Sequence, residues 1–291
     1  STVWRIDVAG ATATAIARLG TKASGTTVAE PRFITTGARD LLILDAKNVL
    51  WRWRPADGTG KGTLVKINVD GSTSWGDDIK GFATFLRDAN RGSYNLYVID
   101  PSEEQIRVYT PSADGSGFPD ASSPWLATAR DVSGISSVYV DGDMFAADGD
   151  VTRFTAGKSD GWDVGAPGDT LLRPAPVYSQ VAGGLGTDRR TGSVYAYDRP
   201  NARIVAIDKA TGDYKAQYRL AGGAAGWDDL RSFYVVPGAA DAPPTIVWVS
   251  KDGLHKSVLE EVPDVAPSPS PSSSPAASGS PATSAKPTTA P

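Results

Sequence analysis

Cysteine is absent from this sequence of 291 residues, and histidine and methionine each occur once. The absence of cysteine excludes disulfide bonds, thiolate catalysis and cysteine-ligated zinc. The lone histidine, His255, excludes a three-histidine metal site, and no G-x-S-x-G segment supplies a nucleophile for a Ser/His/Asp triad. We therefore expect His255 to be an ordinary strand residue and the chain to have no catalytic activity of its own.

Long apolar runs and clusters of basic residues are also missing. No run of about 18 apolar residues occurs, so we expect no membrane span. A formal net charge of -4 without a basic cluster argues against nucleic acid as a partner. We expect a monomer with no cofactor and no bound metal. The chain starts at Ser1 without an initiator methionine or a signal peptide, which we interpret as the cut end of a longer protein.

Composition divides the chain into two segments. Residues 1–262 are rich in Val, Ile, Tyr, Trp and Gly, whereas residues 263–291 are almost entirely Pro, Ser, Ala and Thr. The second segment has too little apolar bulk to offset the entropy that ordering it would cost. We predict one folded domain over 1–262 and a disordered tail over 263–291.

A repeat runs through the folded segment. A short apolar run that ends in an acid, followed by a turn and a second strand, recurs at steps of 55, 48, 50 and 52 residues. The residues that end these runs are Asp45, Asp100, Asp148, Asp198 and, in the fifth copy, Ser250. Several short strands per period and little helical periodicity are typical of an all-β β-propeller. In each blade we predict the acid-terminated run to be the second strand of four.

The repetition of the acid also suggests its role. A carboxylate at the end of a strand can accept hydrogen bonds from the backbone N–H groups of the following turn. Because a catalytic group is needed once and these acids recur, we interpret all four as residues that fasten turns.

A second landmark is an acid just before the predicted innermost strand of three blades, in "DIKGF", "DVSGI" and "DLRSF". These acids should approach the central channel on one face, where carboxylates beside exposed indoles could bind a cation, a basic peptide or a sugar. The candidate residues are Trp75, Asp77, Asp78, Arg130, Asp131, Arg173, Trp227, Asp228, Asp229 and Arg231. The alternative is structural: the acids cap turns and pair with the arginines, and the tryptophans pack between blades.

The two ends of the folded segment bear on the number of blades. Residues 3–20 match the third and fourth strands of a blade, and the C-terminal part supplies a first, second and third strand. We favour six blades with a truncated N-terminal blade. The alternative is a five-bladed ring in which residues 3–8 pair as the fourth strand of the last blade. Either way we expect closure between the termini, since an unpaired edge promotes aggregation.

The segments "VYAYDRPNARIVAIDKATG" and "LYVIDPSEEQIRVYTPSADG" resemble the NHL type of propeller repeat, in which an apolar strand ends in Asp before an Arg-Ile or Arg-Val strand. Two copies depart from this pattern: "MFAADGDVTRF" has a shortened turn, and "IVWVSKDGLHKSV" has Ser250 in place of the acid. The folded part with its Pro/Ser-rich flank is also similar to propellers of bacterial membrane-bound Ser/Thr phosphatase or kinase signalling proteins. That resemblance implies an extracytoplasmic or cell-surface sensor with a catalytic domain and a membrane anchor upstream.

We therefore expect a non-catalytic recognition or sensor module that binds a protein partner or a small polar ligand through one loop-rich face. A second hypothesis is a lyase or hydrolase that uses a channel-bound cation held by Asp78, Asp131 and Asp229. A third is a structural propeller at the cell surface, with the tail as a spacer.

Overall fold

The folded segment consists of β-strands and one short 3-10 helix, Pro101–Glu103, in the computed structural model. The described residues contain no α-helix, and no helix among them is long and apolar enough to cross a membrane. The predicted all-β class is thus confirmed, whereas the predicted tail lies outside the described part. The structure describes residues 2–7, 12–56, 61–71, 75, 78–88, 90–159, 161–165, 175–184, 191–221, 227, 229–238 and 242–262.

The strands pair in antiparallel sheets that largely follow chain order. First come the hairpin β1 (Thr2–Asp7) and β2 (Thr12–Arg18), and the short ladder β3 (Lys22–Ala23) and β4 (Thr26–Thr27). Three four-stranded sheets follow: β5 (Pro31–Gly37), β6 (Asp40–Asp45), β7 (Leu50–Pro55) and β8 (Gly62–Ile67); β9 (Gly81–Asp88), β10 (Ser93–Asp100), β11 (Gln105–Tyr109) and β12 (Ser123–Pro124); and β13 (Ser137–Val140), β14 (Met144–Ala147), β15 (Val151–Thr155) and β16 (Lys158–Ser159). The last sheet contains β17 (Tyr178–Gly183), β18 (Ser193–Asp198), β19 (Arg203–Asp208), β20 (Tyr214–Leu220), β21 (Ser232–Val236), β22 (Thr245–Ser250) and β23 (Gly253–Glu261).

The last sheet consists of two units that meet at their outer strands. Strands β17 to β20 form a four-stranded unit and β21 to β23 a three-stranded unit, and β20 pairs with β23 over three residues. Counting from the first four-stranded sheet, the chain thus forms five successive units. In each unit the acid-terminated run or its serine counterpart is the second strand, as the sequence predicts.

The second strand of a unit is the most buried one. Every residue of β14 and β18 is buried, and β6 and β10 are buried at nearly every position. Neighbouring sheets cover such a strand on both faces, so the side chains on both faces must be apolar. This is why "MFAA" and "VYAY" read as unbroken apolar runs rather than as an alternating pattern.

The apolar core lies between neighbouring sheets. Between the last two units, Trp227 stacks against Tyr197 on one side and Trp248 on the other, with ring centroids 5.7 and 6.4 Å apart. Between the first two four-stranded sheets, the Trp75 and Tyr109 rings meet edge to face at 5.6 Å. Aromatic rings fill the wedge between two sheets with a large apolar area, so these clusters hold each unit against the next.

Arginines of third strands add polar links between units. Arg52 in β7 donates from Nη1 to the Gly115 carbonyl of the second sheet at 2.5 Å. Arg153 in β15 donates in the same way to the carbonyls of Lys209 and Ala210 in the following unit, at 2.7 and 3.0 Å. These bonds satisfy turn carbonyls across the gap and fix neighbouring units relative to each other.

The N-terminal hairpin packs against the first four-stranded sheet. Val3 and Ala17 share an apolar cluster with Ile43 and Trp51. Strand β1 pairs with β2, and β23 pairs with β20 and β22, so the described strands do not form the five-bladed closure through residues 3–8. The expected pairing between the two ends is therefore wrong for this part of the chain. The count of six blades stays a prediction.

The innermost strands of the five units lie side by side around a central channel. Strand β9 contacts β5 and β13, and β17 contacts β13 and β21. Residues from all five strands line one cavity of about 900 Å³. Antiparallel sheets arranged around a central channel are the architecture of a β-propeller, which confirms the predicted fold.

Candidate binding site

Asp45 fastens the turn that follows β6. Its Oδ1 accepts hydrogen bonds from the backbone N–H groups of Lys47 and Val49 at 2.9 and 3.0 Å. Its Oδ2 accepts from the N–H of Ala29 at 3.0 Å and from the Trp51 indole at 2.8 Å. The residue is fully buried, and four donors compensate for the hydration that the carboxylate loses. This is the structural role that the repeat suggests.

Asp198 and Asp100 also bind the turns that follow them. The Asp198 Oδ2 pairs with Arg203 Nε at 2.7 Å in a fully buried ion pair and accepts from Asn201 Nδ2 at 2.9 Å. The Asp100 Oδ1 accepts from the backbone N–H and the hydroxyl of Ser102, at 3.1 and 2.5 Å. Both carboxylates are occupied by local donors, which favours a structural role.

The remaining two copies of the repeat differ. Asp148, at the shortened turn, is exposed, and its Oδ2 lies 3.9 Å from Arg130 Nη2. In the last unit Ser250 Oγ lies 2.9 Å from His255 Nε2, and the imidazole stacks on Trp248 at a centroid distance of 4.2 Å. The lone histidine therefore closes the β22–β23 hairpin.

Trp75 and Trp227 belong to the core and not to an exposed surface. Their exposed fractions are 6% and 1%. Trp75 Nε1 donates to the Tyr109 hydroxyl at 2.5 Å, and the Trp227 carbonyl accepts from the Tyr197 hydroxyl. The hypothesis that these indoles offer a face to a ligand is wrong, because they fill the gap between two sheets. Both indoles pack between blades, which is the arrangement that the structural alternative expects.

The acids before the innermost strands do not line the channel. Asp78 and Asp131 are exposed and Asp229 is partly exposed, and none of them belongs to the cavity wall. Within the described ranges, no three acidic or histidine side chains come close enough to hold one metal ion. The predicted approach of these acids to the channel, and the cation site that they would share, are therefore wrong. Three other candidates lie outside the described residues: Asp77, Arg173 and Asp228.

Asp131 and Asp229 instead serve as acceptors for nearby donors. The Ser133 side chain and its N–H, 2.8 Å from Oδ1, lower the pKa of Asp131. The Lys251 N–H, 2.5 Å from Oδ2, lowers the pKa of Asp229, with a smaller contribution from Arg231, whose Nε lies 3.4 Å from Oδ1. These contacts match the structural alternative of turn-capping acids with a local arginine.

Asp131 is also not equivalent to the other two acids. Strands β9 and β21 begin three residues after Asp78 and Asp229, whereas β13 begins six residues after Asp131. The Ile135 N–H donates to the Val132 carbonyl and closes a turn within those six residues. The letters "DVSGI" therefore match the landmark without sharing its position in the sheet.

Strand register identifies five equivalent positions at one end of the channel. In each unit, the reference point is the residue just before the repeated Asp, or just before Ser250 in the last unit. That residue pairs with one residue of the innermost strand. The residue directly before this innermost-strand partner occupies the same place in all five units. We name these five residues the channel rim. The channel rim consists of Arg32, Lys80, Ser136, Ser179 and Arg231, all of which except Ser179 line the cavity.

Sequence reasoning missed two of the three rim cations. Residues 30–32, 78–80 and 229–231 read "EPR", "DIK" and "DLR", an acid followed two residues later by a base. The acids of the second and third segments were singled out, whereas Arg32 and Lys80 were not. The recurring acid-to-base spacing was the available signal.

The opposite end of the channel has a different charge arrangement. Asp141, which follows β13, lines the cavity there and pairs with the fully buried ammonium of Lys209. That ammonium also lies 5.1 Å from the centroid of the Tyr139 ring. Burial raises the pKa of Asp141, and the Lys209 ammonium partly opposes this shift.

No family model matches this chain, and no curated protein matches it significantly. Solved structures are similar at low identity. A chain of a nidogen/laminin complex is 15% identical, with 75% of this chain and 72% of that chain covered and a TM-score of 0.46. Glutaminyl cyclase of Myxococcus xanthus is 16% identical (80% and 91% covered, TM-score 0.42), and a protein of Lactobacillus plantarum is 14% identical (89% and 76% covered, TM-score 0.43). At these scores the likenesses carry no argument about function.

Proposed function

We propose that this β-propeller is a non-catalytic recognition module that binds a small polar ligand or a protein partner at the channel face formed by the second-to-third-strand turns. The observation that carries the proposal is the cavity of about 900 Å³, walled by five innermost strands and lined by both charged and apolar side chains. Ligand sites in proteins are concave, of roughly 300 to 1,000 Å³, and combine apolar walls with a few polar groups.

The side chains described around the channel favour binding over catalysis. The acids proposed for a cation-dependent lyase or hydrolase do not gather around one ion position in the described part of the chain. His255 is engaged by Ser250 and Trp248 at a hairpin end, away from the cavity wall. Because three of the four turn acids already accept hydrogen bonds from local donors, the ring offers the shape and charge of its channel for recognition.

The resemblance to NHL repeats and to propellers of bacterial Ser/Thr signalling proteins supports a sensor at an extracytoplasmic or cell-surface location. The absence of cysteine is compatible with that location. Reading the gene on the N-terminal side of Ser1 tests this assignment. A phosphatase or kinase domain with a membrane span would support the sensor, and a signal peptide alone would favour a secreted propeller without a signalling domain.

Binding at the channel face can be tested with one obstructing variant. Ser232 is exposed and lines the channel, so Ser232→Trp should occupy the cavity without disturbing the core. Ser123, exposed on the outer strand β12, provides the matched control Ser123→Trp. Wild type and both variants would be screened against a peptide array and a glycan array. A ligand that binds wild type and Ser123→Trp but not Ser232→Trp would support the proposal. Binding that survives in Ser232→Trp would contradict it.

A further inference from the structure

The channel rim concentrates positive charge at one mouth of the cavity. Arg32, Lys80 and Arg231 occupy equivalent register positions in three units and all line the cavity. Arg32 and Lys80 belong to the first two units, whose innermost strands contact each other, and Arg231 belongs to the last unit. Three cations at one level of a channel repel each other, and an anion placed among them relieves that repulsion.

The acids of this mouth do not enter the cavity wall. Glu30, Asp78 and Asp229 each precede a rim cation by two residues, yet none of them lines the cavity. Asp229 accepts from the N–H of Lys251, in the β22–β23 turn, with Oδ2, and its Oδ1 lies 3.4 Å from Nε of the rim cation Arg231. Among the described residues that line the cavity, Asp141 supplies the one carboxylate, and it lies at the opposite end of the channel. Among the described residues, the charged side chains that line the wall near the rim are therefore cations, although the protein as a whole is acidic and Arg231 also pairs with Asp229 outside the wall.

The rim is also held in place by hydrogen bonds between units. Arg32 Nη2 donates to the Ile79 carbonyl at 3.4 Å, beside Lys80. The Ser136 hydroxyl donates to the Ser179 carbonyl at 2.7 Å, and Gln180 Nε2 donates to the Arg231 carbonyl at 2.7 Å. Because these bonds join rim residues to rim residues or their chain neighbours in another unit, the backbone that carries the cations is a preorganised scaffold, which lowers the entropy cost of binding.

Apolar side chains extend from the rim into the cavity. Ile34, Leu86 and Tyr234 line it, and their exposed fractions are 53%, 40% and 47%. Large apolar side chains left open to solvent inside a concave site mark surface that a ligand can cover. The cavity thus combines a cationic end with an apolar wall.

We propose that the channel binds an amphiphilic anion, with its acidic group at Arg32, Lys80 and Arg231 and its apolar body along Ile34, Leu86 and Tyr234. This inference rests on the proposed recognition function and assigns the ligand class of that site. Guanidinium and ammonium groups bind carboxylate, sulfonate or phosphate oxygens by charge-assisted hydrogen bonds, and the apolar body gains from leaving water.

The probe for this test is 8-anilinonaphthalene-1-sulfonate, and its control is N-phenyl-1-naphthylamine, which has the same rings without the sulfonate. Fluorescence titration should show that wild type binds the sulfonate more tightly than the neutral analogue. Lys80→Gln and Arg231→Gln should each weaken sulfonate binding by roughly tenfold, the usual scale for one charge-assisted bond, and leave the neutral analogue unaffected. Lys80→Glu should weaken sulfonate binding further. The matched control is Lys66→Gln, on the exposed outer strand β8, which should change neither affinity.

Thermal midpoints of all variants should equal that of wild type, since the substituted side chains are exposed. Equal affinity of wild type for both probes, or equal loss in Lys66→Gln and Lys80→Gln, would overturn the inference. An array ligand that Ser232→Trp abolishes but that Lys80→Gln and Arg231→Gln leave unchanged would refute the anion site while leaving the recognition function standing.

Discussion

Asp45 and Asp148 hold the same position in the repeat, and their environments predict very different costs of substitution. Asp45→Ala removes an acceptor that serves four donors at a fully buried site. At about 1 kcal/mol for each lost hydrogen bond, the free energy of unfolding should fall by about 4 kcal/mol. That is a large part of the roughly 5 to 15 kcal/mol by which domains are stable. Asp148→Ala removes an exposed pair with Arg130 at 3.9 Å, which should cost less than about 1 kcal/mol.

Urea unfolding followed by tryptophan fluorescence measures both costs. Asp45→Ala should lower the midpoint strongly at an unchanged slope, and Asp148→Ala should leave it near the wild-type value. Asp45→Asn keeps one of the two side-chain oxygen acceptors, so its urea midpoint should lie between those of Asp45→Ala and wild type. Similar midpoint shifts for Asp45→Ala and Asp148→Ala would refute the reasoning, because the repeat position alone would then set the cost.

Two further predictions concern the other acids. Lys209→Met leaves Asp141 without its partner in a partly buried site and should reduce the free energy of unfolding by about 3 kcal/mol in urea, while the double variant with Asp141→Asn should recover most of the loss. If the double variant is no more stable than Lys209→Met, the pair does not carry the effect. Ser133→Ala should raise the pKa of Asp131 in a carbon-13 NMR titration, since the side chain of Ser133 lowers it. Because that folded-state pKa is lowered, its contribution to stability is present above the unfolded pKa and fades as the pH falls through the folded one; an unmoved pKa in Ser133→Ala would disprove the assignment.

The strand order within each unit follows directly from the sequence, because burial on both faces forces a readable pattern. Strand β18, "SVYAYD", has no exposed residue, so its apolar run carries no polar alternation that could hide it. The turn acids were equally accessible to sequence reasoning. A buried carboxylate such as that of Asp45 needs local donors, and the turn that follows supplies them in every copy where the turn is long enough.

The role of the tryptophans was open to two interpretations from sequence. "SWGDD" and "AGWDD" place an indole beside acids, which fits both a ligand platform and an inter-blade wedge. Which of the two applies depends on the width of the gap between sheets. Trp227 fits between two aromatic rings from neighbouring units, and those rings are 30 and 21 residues away along the chain. Such a contact is fixed by tertiary packing and leaves no local signal.

The acid-to-base spacing marks the three rim cations in the sequence, but the full set of five equivalent positions could not be found by spacing because register, and not distance along the chain, defines it. In β5 and β17 a β-bulge inserts one residue at this point, and these extra residues are Arg32 and Ser179. A bulge of this kind re-aims a side chain and shifts the count by one. The same effect on a larger scale moves Asp131 away from its apparent counterparts, since a turn separates it from β13.

The two sets of repeated positions differ in a way that separates scaffold from site. At the end of the second strand the residue is Asp in four of the five units, and its carboxylate accepts hydrogen bonds from the following turn or strand in three of them and lies 3.9 Å from an arginine in the fourth. At the channel rim the residue changes from unit to unit, with cations in three units and serines in two, although the backbone position is equivalent. A structural requirement common to all units would select one residue type. Variation at an equivalent position that faces a shared cavity instead fits selection by an asymmetric ligand, which meets each unit differently. Under the proposed recognition function, the rim residues therefore determine which ligand the channel takes, whereas the repeated acids stabilise the turns of the blades.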